Sequence, residues 1–221
     1  MHLFVHRRDT SASCPRLGLG AALNVVRRQT YVFLAVAAVT LWPSAGMAQE
    51  MAVPVELQLT VLSRVLSYDR SLTSRAERTL VMGVIYQPQV RLSVRTKDEV
   101  MAWALRNADA ISKHFDLQCV PIALTDTTDL RMAIKRNRVD VLYVAPLRAV
   151  NVEHITGVTR QEEVLTITGV VSYVHSGIAL GVGQVASRTR VLVNLPASKD
   201  EGSDFTAQLL AVSQVIDGQR E

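Results

Sequence analysis

Four short apolar runs, separated by stretches with helical periodicity, restrict this chain more than any other feature. They are Thr79–Gln87, stopped by Pro88; Cys119–Leu124; Val141–Ala145, stopped by Pro146; and Val164–Thr168, stopped by Gly169. Runs of this length, rich in Val, Leu and Ile, read as strands buried on both faces. The intervening segments repeat apolar residues every three or four positions. Residues 54–68 carry Leu57, Val61, Leu62, Val65 and Leu66. A helix is predicted from a capping box at Thr96 and Glu99, striped by Val100, Met101, Ala104, Leu105, Ala108 and Ile111 and ending near Phe115. Two more helices are expected over Asp126–Arg138, with Asp126 and Asp129 as start residues, and over Leu147–Arg160.

Beyond the fourth run, residues 169–177 read as turns. Ile178–Val185 and Arg190–Leu195 read as a hairpin turning at Ala186–Thr189, and one last helix follows from Ser203 or Asp204 through Ile216. Strands alternating with helices imply a mainly parallel sheet with helices on both faces. The expected fold is therefore α/β: a single-domain, three-layer α/β/α sandwich whose sheet ends in an antiparallel hairpin.

The amino terminus reads as an export signal. Arg27-Arg28 precedes the uncharged run Tyr31–Trp42, and small residues stand at Gly46 and Ala48. A basic region, a short apolar region and small residues at −3 and −1 define a secretory signal cleaved before Gln49. The run of about 12 residues falls short of the ~20 that span a bilayer. Residues 1–48 are thus expected to be a signal peptide and 49–221 the domain, released into the periplasm with no stable membrane insertion. Translation starting near Val25 or Val26 would leave a conventional presequence. Five of the 24 basic and one of the 20 acidic residues precede residue 49, leaving 19 of each. The whole-chain pI of 9.3 belongs to the presequence. A domain with no excess of Lys and Arg lacks what phosphate-backbone binding needs, so nucleic acid is not an expected partner.

Cys14 falls within the presequence, so Cys119 stands alone and reads as a small buried hydrophobe. There is no G-x-S-x-G elbow and no phosphate-loop lysine. His114, His154 and His175 are too far apart in sequence for a ligand pair. No catalytic set, no metal site and no cofactor is expected. Gly181-Val182-Gly183-Gln184-Val185-Ala186 matches a dinucleotide fingerprint but sits inside a hairpin strand, where the glycines read as a packing feature. Glu162-Glu163 reads as a solvated turn. Open parallel sheets bind ligands outside the carboxyl ends of their strands. Those ends here supply a candidate crevice of Tyr86, Gln87, Tyr143, Pro146, Thr168 and Gly169, in which the tyrosines could stack on a ring.

The carboxyl-terminal third carries a further pattern: Val164-Leu165-Thr166-Ile167, Ser176-Gly177 before a strand, Arg190-Val191-Leu192-Val193-Asn194-Leu195, and a closing segment holding Leu209-Leu210. In order and spacing this resembles the YfiR/HmsC-type family of periplasmic proteins. The resemblance implies a non-enzymatic regulator that represses an inner-membrane diguanylate cyclase, and so acts in cyclic di-GMP signalling and biofilm control. Its implied partner is the periplasmic part of that membrane protein, with a homodimer also compatible. Ser176, Gly177, Asn194, Leu195, Leu209 and Leu210 are expected to be structural, with Asn194 bridging backbone groups toward Ser198 through its amide. Members with paired cysteines link their state to redox, which a single Cys119 does not support. The alternative reading is a small-molecule (solute) binding module.

Overall fold

The structure, a computed structural model, describes residues 51–75, 79–107, 116–126 and 128–217. Residues 1–48, with the expected signal peptide, lie outside them, as do Ala108, Ile111 and His114. In chain order come α1 (Val55–Leu66), α2 (Arg70–Arg75), β1 (Thr79–Tyr86), α3 (Arg91–Arg106), β2 (Asp116–Ala123), α4 (Leu130–Asn137), β3 (Val141–Val144), α5 (Val152–Gln161), β4 (Leu165–Thr168), α6 (Val171–His175), β5 (Leu180–Val185), β6 (Arg188–Asn194), α7 (Leu195–Asp200), α8 (Ala207–Val212) and β7 (Gln214–Ile216).

The strands form one seven-stranded sheet in the order β2-β1-β3-β4-β5-β6-β7. Every neighbouring pair is parallel except β5 with β6. The expected α/β architecture is therefore the observed one. Strand side chains alternate between two cores, as a two-residue period requires. In β3, Val141 and Tyr143 face the core shared with α1 and α3, where Leu59, Leu62, Val100 and Trp103 are buried. Leu142 and Val144 face the opposite core, filled by Ile134 of α4, Ile155 of α5 and Tyr173 of α6. β3 and β4 have no exposed residue; β3 is wholly apolar, and the alternating Thr166 and Thr168 of β4 are buried with their hydroxyls hydrogen-bonded.

Several elements depart from the sequence reading. The third helix starts at Arg91, not at Thr96. Thr96 is buried within it, so no capping box forms there. Leu105, assigned to the buried stripe, is 82% exposed, and Trp103 is buried instead. β2 begins at Asp116 and is an edge strand, half-exposed rather than covered on both sides. Its Pro121 costs no ladder bond on an open edge. The Leu147–Arg160 helix shortens to α5, capped by Asn151, whose side chain accepts from the Glu153 N–H at 2.9 Å. The turn-rich 169–177 segment holds α6. The expected last helix is instead α8 followed by the edge strand β7. The hairpin turn narrows to Ala186 and Ser187, with φ of 48° and 63°, the twist-matched two-residue form.

The Gly181/Gly183 pair is a packing device, as read. A Cβ at Gly181 would stand 2.5 Å from Val174 Cγ2, and one at Gly183 2.1 Å from Val171 Cγ2. The missing side chains let α6 lie directly on β5. Asp129 caps α4 by accepting from the Met132 N–H at 3.1 Å. Cys119 is half-buried, and burial pushes its thiol up to about 12. A thiol that resists ionisation is a poor nucleophile.

Candidate functional site

β1 lies between β2 and β3, so the connections leaving β1 and β2 run to opposite sides of β1. Such a reversal parts the loops at the carboxyl ends of the strands and opens a cleft. Here the cleft has a volume of about 540 Å³ and includes Gln87, Thr125, Asp126, Arg148, Asn151 and His154 in its lining. A smaller hollow of about 310 Å³ lies between the first residues of α3 and Pro146–Arg148.

The loops around it are tied by specific bonds. The Gln87 side chain clamps the Arg148 backbone at both ends: its Nε2 donates to the Arg148 carbonyl at 3.0 Å, and its Oε1 accepts from the Arg148 N–H at 2.5 Å. The Gln87 backbone N–H donates to Ser93 Oγ at 2.9 Å, which fixes the start of α3. Thr128 Oγ1 donates to the Ala123 carbonyl at 2.9 Å and accepts from the Thr125 N–H at 3.0 Å, closing the loop after β2. The result is a cleft whose bordering loops are tied together by these bonds, with Leu124, Val150 and Ile155 beside its polar lining. Among the described residues no group of three His, Cys, Asp or Glu could hold a metal ion.

Of the six crevice residues expected from sequence, the fold brings Gln87 and Pro146 to these hollows. Tyr86 packs against the core shared with α1 and α3, with Lys97 Nζ 5.2 Å from its ring centre. Tyr143 is fully buried, and its hydroxyl donates to Gln58 Oε1 at 2.8 Å. Burial, and secondarily the Glu99 charge, push that phenol above its ordinary range. Thr168 is buried, donating to the Val144 carbonyl at 2.9 Å and accepting from the Val170 N–H at 3.1 Å. Gly169 is a contact surface for Gln58: a Cβ there would stand 2.1 Å from Gln58 Oε1. These four positions line neither hollow, because strand alternation and the approach of α1 turn them inward.

The remaining motif residues hold the frame. Ser176 ends α6, its hydroxyl donating to the Ser172 carbonyl at 3.1 Å. Gly177 has φ +108°, a conformation that side chains disfavour, and leads the chain toward β5. Asn194 caps α7 by accepting from the Ala197 N–H at 3.1 Å, and donates from Nδ2 to the Val174 carbonyl at 2.9 Å. The bridge thus reaches a backbone group in the turn to Ser198, at Ala197, and also α6. Leu195 opens α7, and on α8 Leu209 is buried with Leu210 packed beside it.

Sequence reasoning missed two buried polar residues. Gln58 lies on the inward face of α1, with Nε2 donating to the Val53 carbonyl at 2.6 Å. Glu201, at the end of α7, is fully buried. Its carboxyl receives Thr159 Oγ1 at 2.8 Å, the Thr166 N–H at 2.7 Å and Thr166 Oγ1 at 2.9 Å. Burial pushes the Glu201 carboxyl up to about 7, against the opposing pull of those hydrogen bonds and of Arg160. The helical spacing could have flagged Gln58, a polar residue three positions after Val55 and four before Leu62 on the buried face. No local signal marks Glu201, since Asp200-Glu201-Gly202 reads as a solvated turn.

The chain is thus a doubly wound α/β domain with a cleft at its reversal point. Residues 87–214, more than half the chain, match the family described as YfiR/HmsC-like. The chain belongs to that family. Membership supports a regulatory, non-catalytic role in the periplasm. Among the described residues no helix is long and apolar enough to cross a membrane.

Similar solved structures include a conserved domain protein from Vibrio cholerae, with 16% identity and a TM-score of 0.52 over 74% of this chain and 60% of that one. Another is the ABC domain in complex with L-Trp from Streptococcus pneumonia, with 12% identity and a TM-score of 0.51 over the same shares. At these identities the likeness shows the fold. The chain spans about 60% of the length of each. No curated protein matches the chain in sequence.

Proposed function

We propose that residues 1–48 are a cleaved export signal and that residues 49–221 act in the periplasm as a non-enzymatic regulator. The domain binds the periplasmic part of an inner-membrane signalling protein, a diguanylate cyclase, and holds it in one state. Its action is a difference in affinity between two conformations of that partner. The family match across residues 87–214 carries this reading. The proposed boundary agrees with Val53, which is buried in the first core. The test is to delete the gene and measure cellular cyclic di-GMP and biofilm mass. Repression predicts that both rise; no change in either across growth conditions overturns the reading.

A second reading, a small-molecule binding module, is favoured by one observation, the cleft of about 540 Å³ at the strand reversal. Thermal-shift screening with amino acids, nucleotides and aromatic acids separates the two. A micromolar ligand whose stabilisation disappears in Gln87→Ala supports it, and no stabilisation by any compound removes it.

A further inference from the structure

The sheet is finished unevenly at its β7 edge. On its inner side β6 pairs with β5 from Val185↔Arg188 to Leu180↔Val193. On its outer side β7 pairs only with Leu192, Val193 and Asn194. Among the described residues, the outer side of Arg188–Val191 has no ladder partner. A row of unpaired N–H and C=O groups is a template for another strand. Beside it runs a groove of about 790 Å³, with apolar walls from Val185, Ala186, Ala211 and Val212; Val212 is 72% exposed. Arg188 and Arg190 also line this groove, and no acidic residue does. Both are exposed and stand two positions apart, on one face of the strand.

We propose that this open edge of β6 docks an extended acidic segment of a partner protein, which adds to the sheet as a strand in line with β7. Backbone groups of Arg188–Val191 supply the ladder. The arginines meet carboxylates at alternate positions of the incoming strand, and its other side chains lie on Val212 and Ala211. The charge selects the occupant: a second copy of this chain would bring arginines against arginines, and like charges opposed across strands are destabilising. The proposal deepens the regulatory reading. It rests on that reading for the partner's identity and on the sheet geometry for the binding chemistry.

The test uses the purified full-length chain and a peptide alternating valine and glutamate. Its lysine counterpart and two versions of the glutamate peptide, backbone N-methylated at odd or at even positions, complete the set. Strand addition predicts that the glutamate peptide binds, the lysine peptide does not, and amide exchange slows at residues 188–191. One methylated version loses about tenfold or more in affinity and the other does not, because only one set of donors faces the sheet. Arg188→Glu combined with Arg190→Glu reverses the preference to the lysine peptide, which a misfolded variant would not do. Absence of binding, equal tolerance of both methylated versions, or protection confined to other strands overturns the proposal. The cyclic di-GMP response to gene deletion is read separately. A persisting deletion phenotype with failed peptide arms defeats only the docking edge; an absent phenotype defeats the regulatory reading.

Discussion

Two of the polar clusters buried in this domain meet the cost of burial in different ways. Around Tyr143, the hydrogen-bonded groups are neutral: the phenol donates to Gln58 Oε1, and Gln58 Nε2 donates to the Val53 carbonyl. Around Glu201, the centre is an ionisable carboxyl fed by two threonine hydroxyls and a strand N–H. The neutral cluster carries no charge to desolvate near neutral pH, so proton concentration does not touch it. It depends on shape, because Gly169 leaves no room for a Cβ against the Gln58 amide. The carboxyl cluster ties three elements, α5, β4 and α7, through one side chain, and its energy follows the proton.

Four substitutions break or sharpen that contrast. The largest effect is expected from Gly169→Ala. Its Cβ must displace the Gln58 amide, disturbing both bonds of that amide and overfilling the core, for a loss of ~3–4 kcal/mol read from urea unfolding. Glu201→Ala removes the acceptor from the buried Thr166 N–H, while the Thr159 hydroxyl turns to the Thr156 carbonyl it already reaches at 3.2 Å; ~2–3 kcal/mol is expected. Tyr143→Phe leaves Gln58 Oε1 without its donor, costing ~1–2 kcal/mol by the same amount at pH 5 and pH 7.5. A loss that varies with pH would contradict the neutral assignment.

Glu201→Gln changes stability least at any one pH and changes its pH dependence most. The folded carboxyl holds its proton up to about 7, against an ordinary 4.5. Between those values the folded state therefore binds more protons than the unfolded one, and stability falls as pH rises through the window, by ~3 kcal/mol at most. The glutamine variant keeps an acceptor for Thr166 and has nothing to titrate, so its profile is flatter there. A variant profile as steep as that of the parent would show that other groups carry the slope.

The same contrast explains what the sequence made legible. β1 and β3 are readable because burial on both faces writes them as nearly unbroken apolar runs, and β4 because Val164, Leu165 and Ile167 stand between helical stretches. The glycines of β5 are readable because a fingerprint inside a hairpin strand makes sense only as close packing. The start of α3 is misread because Thr96 and Glu99 imitate a cap, whereas the strand simply turns at Pro88 and enters the helix at Arg91. β7 hides because Leu209, Leu210, Val212 and Ile216 keep a helical rhythm across the break at Ser213. Gln87 at the cleft and Pro146 at the smaller hollow follow from strand ends alone. Tyr143, Thr168 and Gly169 also stand at or beside strand ends, but which end residues turn inward depends on α1 supplying Gln58 from 85 positions away. Glu201 is illegible for the same reason: its partners are 35 and 42 positions distant.

Complementation of the deletion strain tests the regulatory account most directly. Cyclic di-GMP is measured after restoring either the whole chain or a version lacking residues 2–48, with both proteins brought to equal abundance. The account predicts that the whole chain returns the nucleotide to its parental level and that the version confined to the cytoplasm does not. Equal restoration by both, or by neither, would contradict it.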